Sequence, residues 1–363
     1  MMKPIQLPFY LKWAQITLGM IAFFYLMYIG QEIIVPLIFS TILAILLNPV
    51  VNFLSRKINR VMSIFLAIVF AAILLAGLFY FIGSQLAMFS ESLPLLKQKF
   101  TGYFTDIISW ISHKFNVSTP KIRAWIAETR ERGMEGGSAV LGQTLMSVTG
   151  TLVVVLLVPV YIFLILFYKP LLLDFIAMCF SSSKHETVKE VLQETRRLIQ
   201  SYLVGLLLEM AIVAVLNSVG LLIIGVEYAI LLGIIGAILN LIPYIGGVIA
   251  IALPMIMALT TQSLGAAIAV LALYLVVQLL DNNYLVPKIV ASKVKINALI
   301  SIIVVLIGGA IWGVGGMFLS IPLTAIFKVI CDRIESLKPL GFLLGDTMPE
   351  IGKNILSFRK STS

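Results

Sequence analysis

Charge is what this chain has least of. Only 12% of its 363 residues are Asp, Glu, Lys or Arg and 60% are apolar, against roughly 25% and 45–50% in an average soluble domain. A soluble fold of this size would lack the polar surface to cover its core, so a soluble globular enzyme is excluded, as is a disordered chain. Cysteine is almost missing: Cys179 and Cys331 are too few and too far apart for a disulfide framework or a thiolate metal site. The two histidines, His113 and His185, lie in polar stretches without a second ligand at metal spacing. No G-x-x-x-x-G-K-[ST], H-E-x-x-H or G-x-S-x-G motif is present, and no cofactor is implied. Basic residues outnumber acidic ones, 26 to 17, for a formal charge of +9. Without interleaved aromatics, that excess points to the cytoplasmic loops of a membrane protein and not to a nucleic-acid surface.

What is present is a set of long uncharged runs. None of the four charged types occurs between Lys12 and Glu32, Glu32 and Arg56, Arg60 and Glu91, Glu135 and Lys169, Glu209 and Glu227, Glu227 and Asp281, or Lys295 and Lys328. A helix needs about 20 apolar residues to cross the hydrocarbon, and inside lipid the backbone must pair with itself, so these runs predict helices. Six full spans are expected, at about 14–30, 33–54, 62–84, 145–168, 202–225 and 263–280. Basic residues precede the first span without a small-residue cleavage site after it, so it reads as uncleaved. Residues 85–138 mix all four charged types and read as a small helical extracytoplasmic insert. Ser183-Lys184-His185-Glu186 has the capping-box pattern and opens an amphipathic surface helix leading into the fifth span.

Lys and Arg gather after the second span (Arg56, Lys57, Arg60) and after the fourth (Lys169, Lys184, Lys189, Arg196, Arg197). By the positive-inside rule these loops and both termini are cytoplasmic and the insert lies outside. The stretch from Glu227 to Asp281 is broken at Asn240-Leu241-Ile242-Pro243-Tyr244-Ile245-Gly246-Gly247. Its arms of about 13 residues each reach only about 20 Å, short of the roughly 30 Å core. They predict a re-entrant hairpin entering from outside; two short full spans would preserve the same parity and stay open. Residues 297–330 repeat the design with a glycine-rich break at 308–316, predicting a second hairpin from the cytoplasmic side. The fold class is therefore an all-α polytopic membrane protein with about six transmembrane helices and two opposed re-entrant helical hairpins in an inverted-repeat-like arrangement. Paired interruptions of this kind are the best sequence pointer to a transporter binding site.

Glu209 falls within the fifth span, where an unpaired carboxylate costs at least roughly 2.5–3.5 kcal/mol. It reads as a proton or cation site or a solute partner, or else as a structural bond to a neighbouring helix. Gln278 and Asp281 share a helix face and, with Asn282, form a polar cluster facing the hairpin tips or capping the span at the interface. At the first tip, Pro243 removes a donor, and Asn240, Tyr244, Gly246 and Gly247 surround freed backbone groups. At the second, Gly309, Gly313, Gly316 and Pro322 follow the same logic, although Gly309-x-x-x-Gly313 also suits close helix packing. Asn217, a lone amide, reads as helix–helix glue. The other residues just named, without Asn217, are the candidate substrate- or ion-binding residues; no catalytic or metal set accompanies them.

Leu241-Ile242-Pro243-Tyr244-Ile245-Gly246-Gly247, then Asp281-Asn282-Asn283-Tyr284-Leu285-Val286-Pro287-Lys288, Gly313-Val314-Gly315-Gly316 and Ser320-Ile321-Pro322-Leu323 give the chain a pattern that resembles the autoinducer-2 exporter family of bacterial membrane proteins, also called PurR-regulated permeases. The likeness covers nearly the whole chain. Where the family pattern has His-Pro, this chain has Asn297-Ala298, so no histidine role carries over. The resemblance implies a permease of the bacterial inner membrane and a homo-oligomer such as a pentamer. Substrates in the family include the quorum-sensing signal autoinducer-2, and some relatives look like sodium/proton antiporters. The organisation expected is transmembrane helices in 1–84, the insert in 85–138, a fourth span in 139–168, a cytoplasmic amphipathic helix in 169–201, a transport core in 202–332 and a cytoplasmic tail in 333–363. The function expected is secondary transport of a small polar solute by alternating access, with proton or sodium coupling and the two hairpins meeting near the midplane. A passive channel is the second reading. An intramembrane enzyme using Glu209 and Asp281 as acid and base is the third, without a nucleophile to support it.

Overall fold

A computed structural model describes residues 8–115, 148–242, 246–291 and 294–346. Among them all regular structure is helical, apart from one isolated bridge between Ile296 and Gly345. The helices are α1 (Phe9–Ile29), α2 (Gln31–Leu54), α3 (Arg60–Phe115), α4 (Val148–Phe167), α5 (Lys169–Met178), α6 (His185–Ile224), α7 (Ala229–Asn240), α8 (Gly246–Thr261), α9 (Leu264–Leu280), α10 (Ala298–Arg333) and α11 (Lys338–Leu344). Six stretches among the described residues are long and apolar enough to cross a membrane, which makes the chain a multi-pass all-α membrane protein.

Three boundaries differ from the sequence expectation. The third span does not end near residue 84; α3 runs on unbroken to Phe115, about 84 Å at 1.5 Å per residue, so it projects far beyond the hydrocarbon. The remainder of the expected insert lies outside the described residues. The amphipathic segment is not a separate surface helix either, because α6 carries it directly into the fifth span as one 40-residue helix. The capping box does not form: Lys184 occupies the cap position, Ser183 Oγ meets Ser181 Oγ, and Glu186 pairs with Lys189. Finally, α9 does not stop at Leu280 but continues as an 11-residue π-helix, Asp281–Ala291.

The basic loops collect at one end of the bundle, and prolines explain two of the ties there. Pro49 has no N–H for the carbonyl of Ile45, and Gln200 of α6 fills the vacancy, Nε2 to O at 2.8 Å. Pro170 likewise leaves the Leu166 carbonyl free, and Arg60 takes it at 2.7 Å. Both bonds link different helices, so each helix-weakening residue becomes a tertiary anchor. Apolar packing forms three main layers: α2, α3 and α4 around Ile64 and Leu166; α2, α6 and α10 around Ile199 and Leu319; and α6–α9 around Leu221 and Val270. α1 is exposed along nearly its whole length, as a lipid-facing helix is.

Both interrupted segments are hairpins. α7 and α8, 12 and 16 residues, leave and return at the end opposite the basic loops, where Gln262 Nε2 donates to the Gly225 carbonyl after α6. α10 bends at Trp312 (φ −130°) and Gly313 (φ 60°). The bend reverses the chain: a Cβ placed on Gly308 would lie 2.5 Å from the Gly316 carbonyl, although eight residues of straight helix span about 12 Å. Both ends of this hairpin sit at the basic end. Asn297 Nδ2 donates to the carbonyls of Leu343 and Gly345 at 2.7 and 3.0 Å, and Arg333 pairs with Glu190 and Glu194. Its tip is not at the middle of the bundle. Trp312 Nε1 donates to the Met27 carbonyl at 2.9 Å, near the far end of α1, and Phe318 stacks on Phe39. The reason is arm length: the bend is confined to two residues, so both arms stay helical almost to the apex.

Candidate functional site

The first hairpin ends in a cavity. Asn240 and Leu241 close α7, Gly246 opens α8, and a Cβ on Gly246 would stand 1.7 Å from the Leu239 carbonyl, so only glycine permits this contact. Below the tip lies a cavity of about 710 Å³ bounded by α6, the α9–π segment and the base of the second hairpin. Its polar lining is Tyr202 and Glu209 from α6, Asn240 from the tip, Gln278, Asp281 and Asn282 from the α9–π segment, and Lys295 and Ser301 from the second hairpin's entry.

Glu209 and Asp281 are 5% and 2% exposed, and both line this cavity. Asn240 Nδ2 donates to Asp281 Oδ2 at 2.9 Å, while Asp281 Oδ1 has no donor among the described residues. Gln278 Nε2 donates to Asn282 Oδ1 at 3.3 Å, and Gly247 lies directly against the Gln278 amide oxygen. Two buried carboxyls facing one cavity at membrane depth are costly when both are ionised, since neither can then donate a hydrogen bond. Asp281 is also the first residue of the π-helix, a form that recurs at functional sites because it re-aims side chains. Chemically, the pocket offers two carboxyl groups, three amides and a lysine at one hollow beside a helix break. That set suits a proton, a small cation or a hydroxyl-rich solute.

Of the residues singled out from sequence, the structure brings Glu209, Asn240, Gly247, Gln278, Asp281 and Asn282 to this cavity, with Gly246 packed behind it. Pro243 and Tyr244 lie outside the described residues. Gly309, Gly313, Gly316 and Pro322 are not part of its lining. They serve the second hairpin instead: Gly316 meets Gly308 across the arms, Gly309 meets Met317, Gly313 holds the positive φ of the bend, and Pro322 is buried. Tyr202, Lys295 and Ser301 were missed. Tyr202, Leu206 and Glu209 recur at helical spacing, so the face around Glu209 would have yielded Tyr202. Asn217, two turns beyond Glu209, is 2% exposed with its Oδ1 unpartnered, and Gly236 of α7 rests against it and against the Tyr274 hydroxyl. Among the described residues no group of three or more His, Cys, Asp or Glu could hold a metal ion.

A polytopic bundle with two opposed hairpins and a buried polar cavity defines the class, a membrane transporter. The chain belongs to the AI-2E family of transporters, whose pattern matches residues 18–336. It is 26% identical to YrrI of Bacillus subtilis over 354 residues, 90% of this chain and 96% of that protein; YrrI's name assigns it provisionally to transport. It is 28% identical to PerM of Escherichia coli, provisionally named a permease, over 86% of this chain and 90% of that protein. Identity to the AI-2 transport protein TqsA of Escherichia coli is 25%, over 88% and 92%.

Proposed function

We propose that the chain is a secondary transporter that carries a small polar solute by alternating access, coupled to a proton or sodium ion held between Glu209 and Asp281. The observation that carries this reading is the pair of buried carboxyls lining one cavity beside the tip of a broken helix pair, with one oxygen left without a donor among the described residues. Asn240 ties the tip to Asp281, so loading or emptying the pair is felt at the hairpin. With the pair loaded, the carboxyls are neutralised and the tip is held. With it empty, two uncompensated charges face each other, and the tip and π segment part. In this scheme α6, α9 and the two hairpins move against a scaffold of α1–α4, which also supplies the contact of a homo-oligomer such as a pentamer. The basic end is cytoplasmic and the membrane is the bacterial inner membrane, by the positive-inside rule.

The name of TqsA makes a quorum-sensing signal the first solute to test. The oxygen-rich pair favours a second reading, sodium/proton antiport, in which the cation is itself the cargo. Purified protein in proteoliposomes separates them: uptake of labelled autoinducer-2, sodium or protons is followed under an imposed gradient of each. Saturable, gradient-driven flux that Glu209→Gln abolishes supports carboxylate coupling. Gradient-driven flux that survives Glu209→Gln and Asp281→Asn removes the pair from the mechanism. High unsaturable conductance indicates a passive channel.

A further inference from the structure

A second cavity, of about 530 Å³, lies at the basic end and shares nothing with the site above. It is formed where α4 turns into α5 through 65° and α6 passes beneath, with α2 behind. Ile45, Leu172, Leu173 and Leu192 give it apolar walls. Its rim is cationic: Lys169, Lys189 and Arg196 line it, and among the described residues no acidic side chain does. Lys189 is committed to Glu186. Among the described residues Lys169 bonds only a neutral amide, Asn48 Oδ1 at 3.1 Å, and Arg196 has no carboxylate partner. Arg196 and Arg60 both oppose the Lys169 charge. Asn48 itself is 5% exposed, and its Nδ2 has no acceptor among the described residues. One buried amide donor and two uncompensated cations thus converge at the mouth of a greasy hollow, at the depth where charged loops begin.

We infer that this cavity binds an anionic phospholipid of the surrounding bilayer, its phosphate held by Lys169, Arg196 and Asn48 Nδ2 and an acyl chain laid along the apolar walls. Basic pockets between transmembrane helices on the cytoplasmic side recognise such headgroups. A free phosphate has the right charge but leaves the walls empty, and a zwitterionic lipid fits the walls but sets its own cation against the rim.

The test uses the full-length protein in a neutral detergent, titrated with phosphatidylglycerol, phosphatidylcholine or inorganic phosphate, with binding read by native mass spectrometry and by the shift in melting temperature. Phosphatidylglycerol binds and raises the melting temperature; phosphatidylcholine and phosphate do not. Arg196→Gln breaks no hydrogen bond or ion pair among the described residues, so it folds, and it weakens phosphatidylglycerol binding by about fivefold, the size expected of one basic side chain near a lipid headgroup. Arg197→Gln, the neighbouring cation outside the cavity, leaves binding unchanged. Equal losses in Arg196→Gln and Arg197→Gln would reduce the effect to general surface charge and overturn the site. Equal binding of phosphatidylcholine, or of phosphate alone, would overturn the lipid assignment.

Discussion

Adding one methyl group to Gly308 or to Gly316 distinguishes a hairpin from a rod by the sign of the effect. In a straight helix both positions are interior, and Gly→Ala stabilises by about 0.8–1.0 kcal/mol through lower unfolded-state entropy. In the hairpin they are the point where the two arms of α10 touch. A Cβ on Gly316 would lie 2.0 Å from the Gly308 carbonyl, and one on Gly308 would lie 2.0 Å from Ser320 Oγ. Ser320 cannot simply turn away, since its hydroxyl donates to the Gly316 carbonyl at 2.6 Å. The arms must therefore separate by about 1 Å or more to regain ordinary contact distance. Overpacking of that kind costs about 1–3 kcal/mol. Thermal unfolding of purified Gly308→Ala and Gly316→Ala should show losses of a few degrees, on the order of 2–4 °C per kcal/mol. The double variant should lose less than the sum, because a single separation relieves both clashes. Gly77→Ala, in a part of α3 where nothing lies within 4 Å of the new Cβ, should not lose stability. A rise in melting temperature for Gly308→Ala or Gly316→Ala would refute the folded-back α10.

Other outcomes follow from the same contacts. Asn240→Ala removes the donor to Asp281 Oδ2 and leaves that buried carboxyl less satisfied, a cost of about 1–3 kcal/mol; coupled flux should fall steeply while the helical circular dichroism signal is kept. Glu209→Gln should abolish ion dependence of transport without loss of expression, measured as flux with and without the gradient. Trp312→Phe loses the bond to the Met27 carbonyl and should cost about 1 kcal/mol in unfolding, with a smaller effect if the apex does not touch α1. A membrane-impermeant maleimide should label exposed Cys179 from the cytoplasmic side in inside-out vesicles and leave buried Cys331 unmodified until the protein is denatured. Labelling of Cys179 from the opposite side would reverse the proposed orientation.

The spans and breaks were legible because lipid imposes a strong local rule: long uncharged runs become helices, and Gly and Pro clusters interrupt them. Where elements end was less legible. α3 runs past residue 84 and α6 absorbs the amphipathic segment because helix is indifferent to the change from lipid to water, while composition is not. Nor does sequence reveal a capping box that fails in favour of a Ser181–Ser183 contact, or a π-helix starting at Asp281. Those outcomes turn on tertiary neighbours. The close backing of Gly205 on the Ile289 backbone, for instance, places the π segment flush against α6.

The same distinction explains which site residues could be read. Glu209 and Asp281 stood out because a carboxylate in an apolar run is costly, and cost demands a partner. That they are each other's neighbours needed the fold, since they lie on different helices. Lys295 and Ser301 could not be read, because they reach the cavity only through the packing of the second hairpin's entry against α6 and the π segment. The two breaks, similar in composition, turned out to do different work. The first leaves Asn240 at its edge bonded to Asp281, so it presents chemistry. The second is two residues wide and closes glycine on glycine, so it presents none. Its contribution to the cavity comes from its base, at Lys295, Ser301 and Ile321. If the second hairpin tilts during transport, the lever runs from an apex anchored on Met27 to a base that forms one wall of the cavity. A small rotation at Trp312 would then open that wall without disturbing the carboxyl pair on the opposite side.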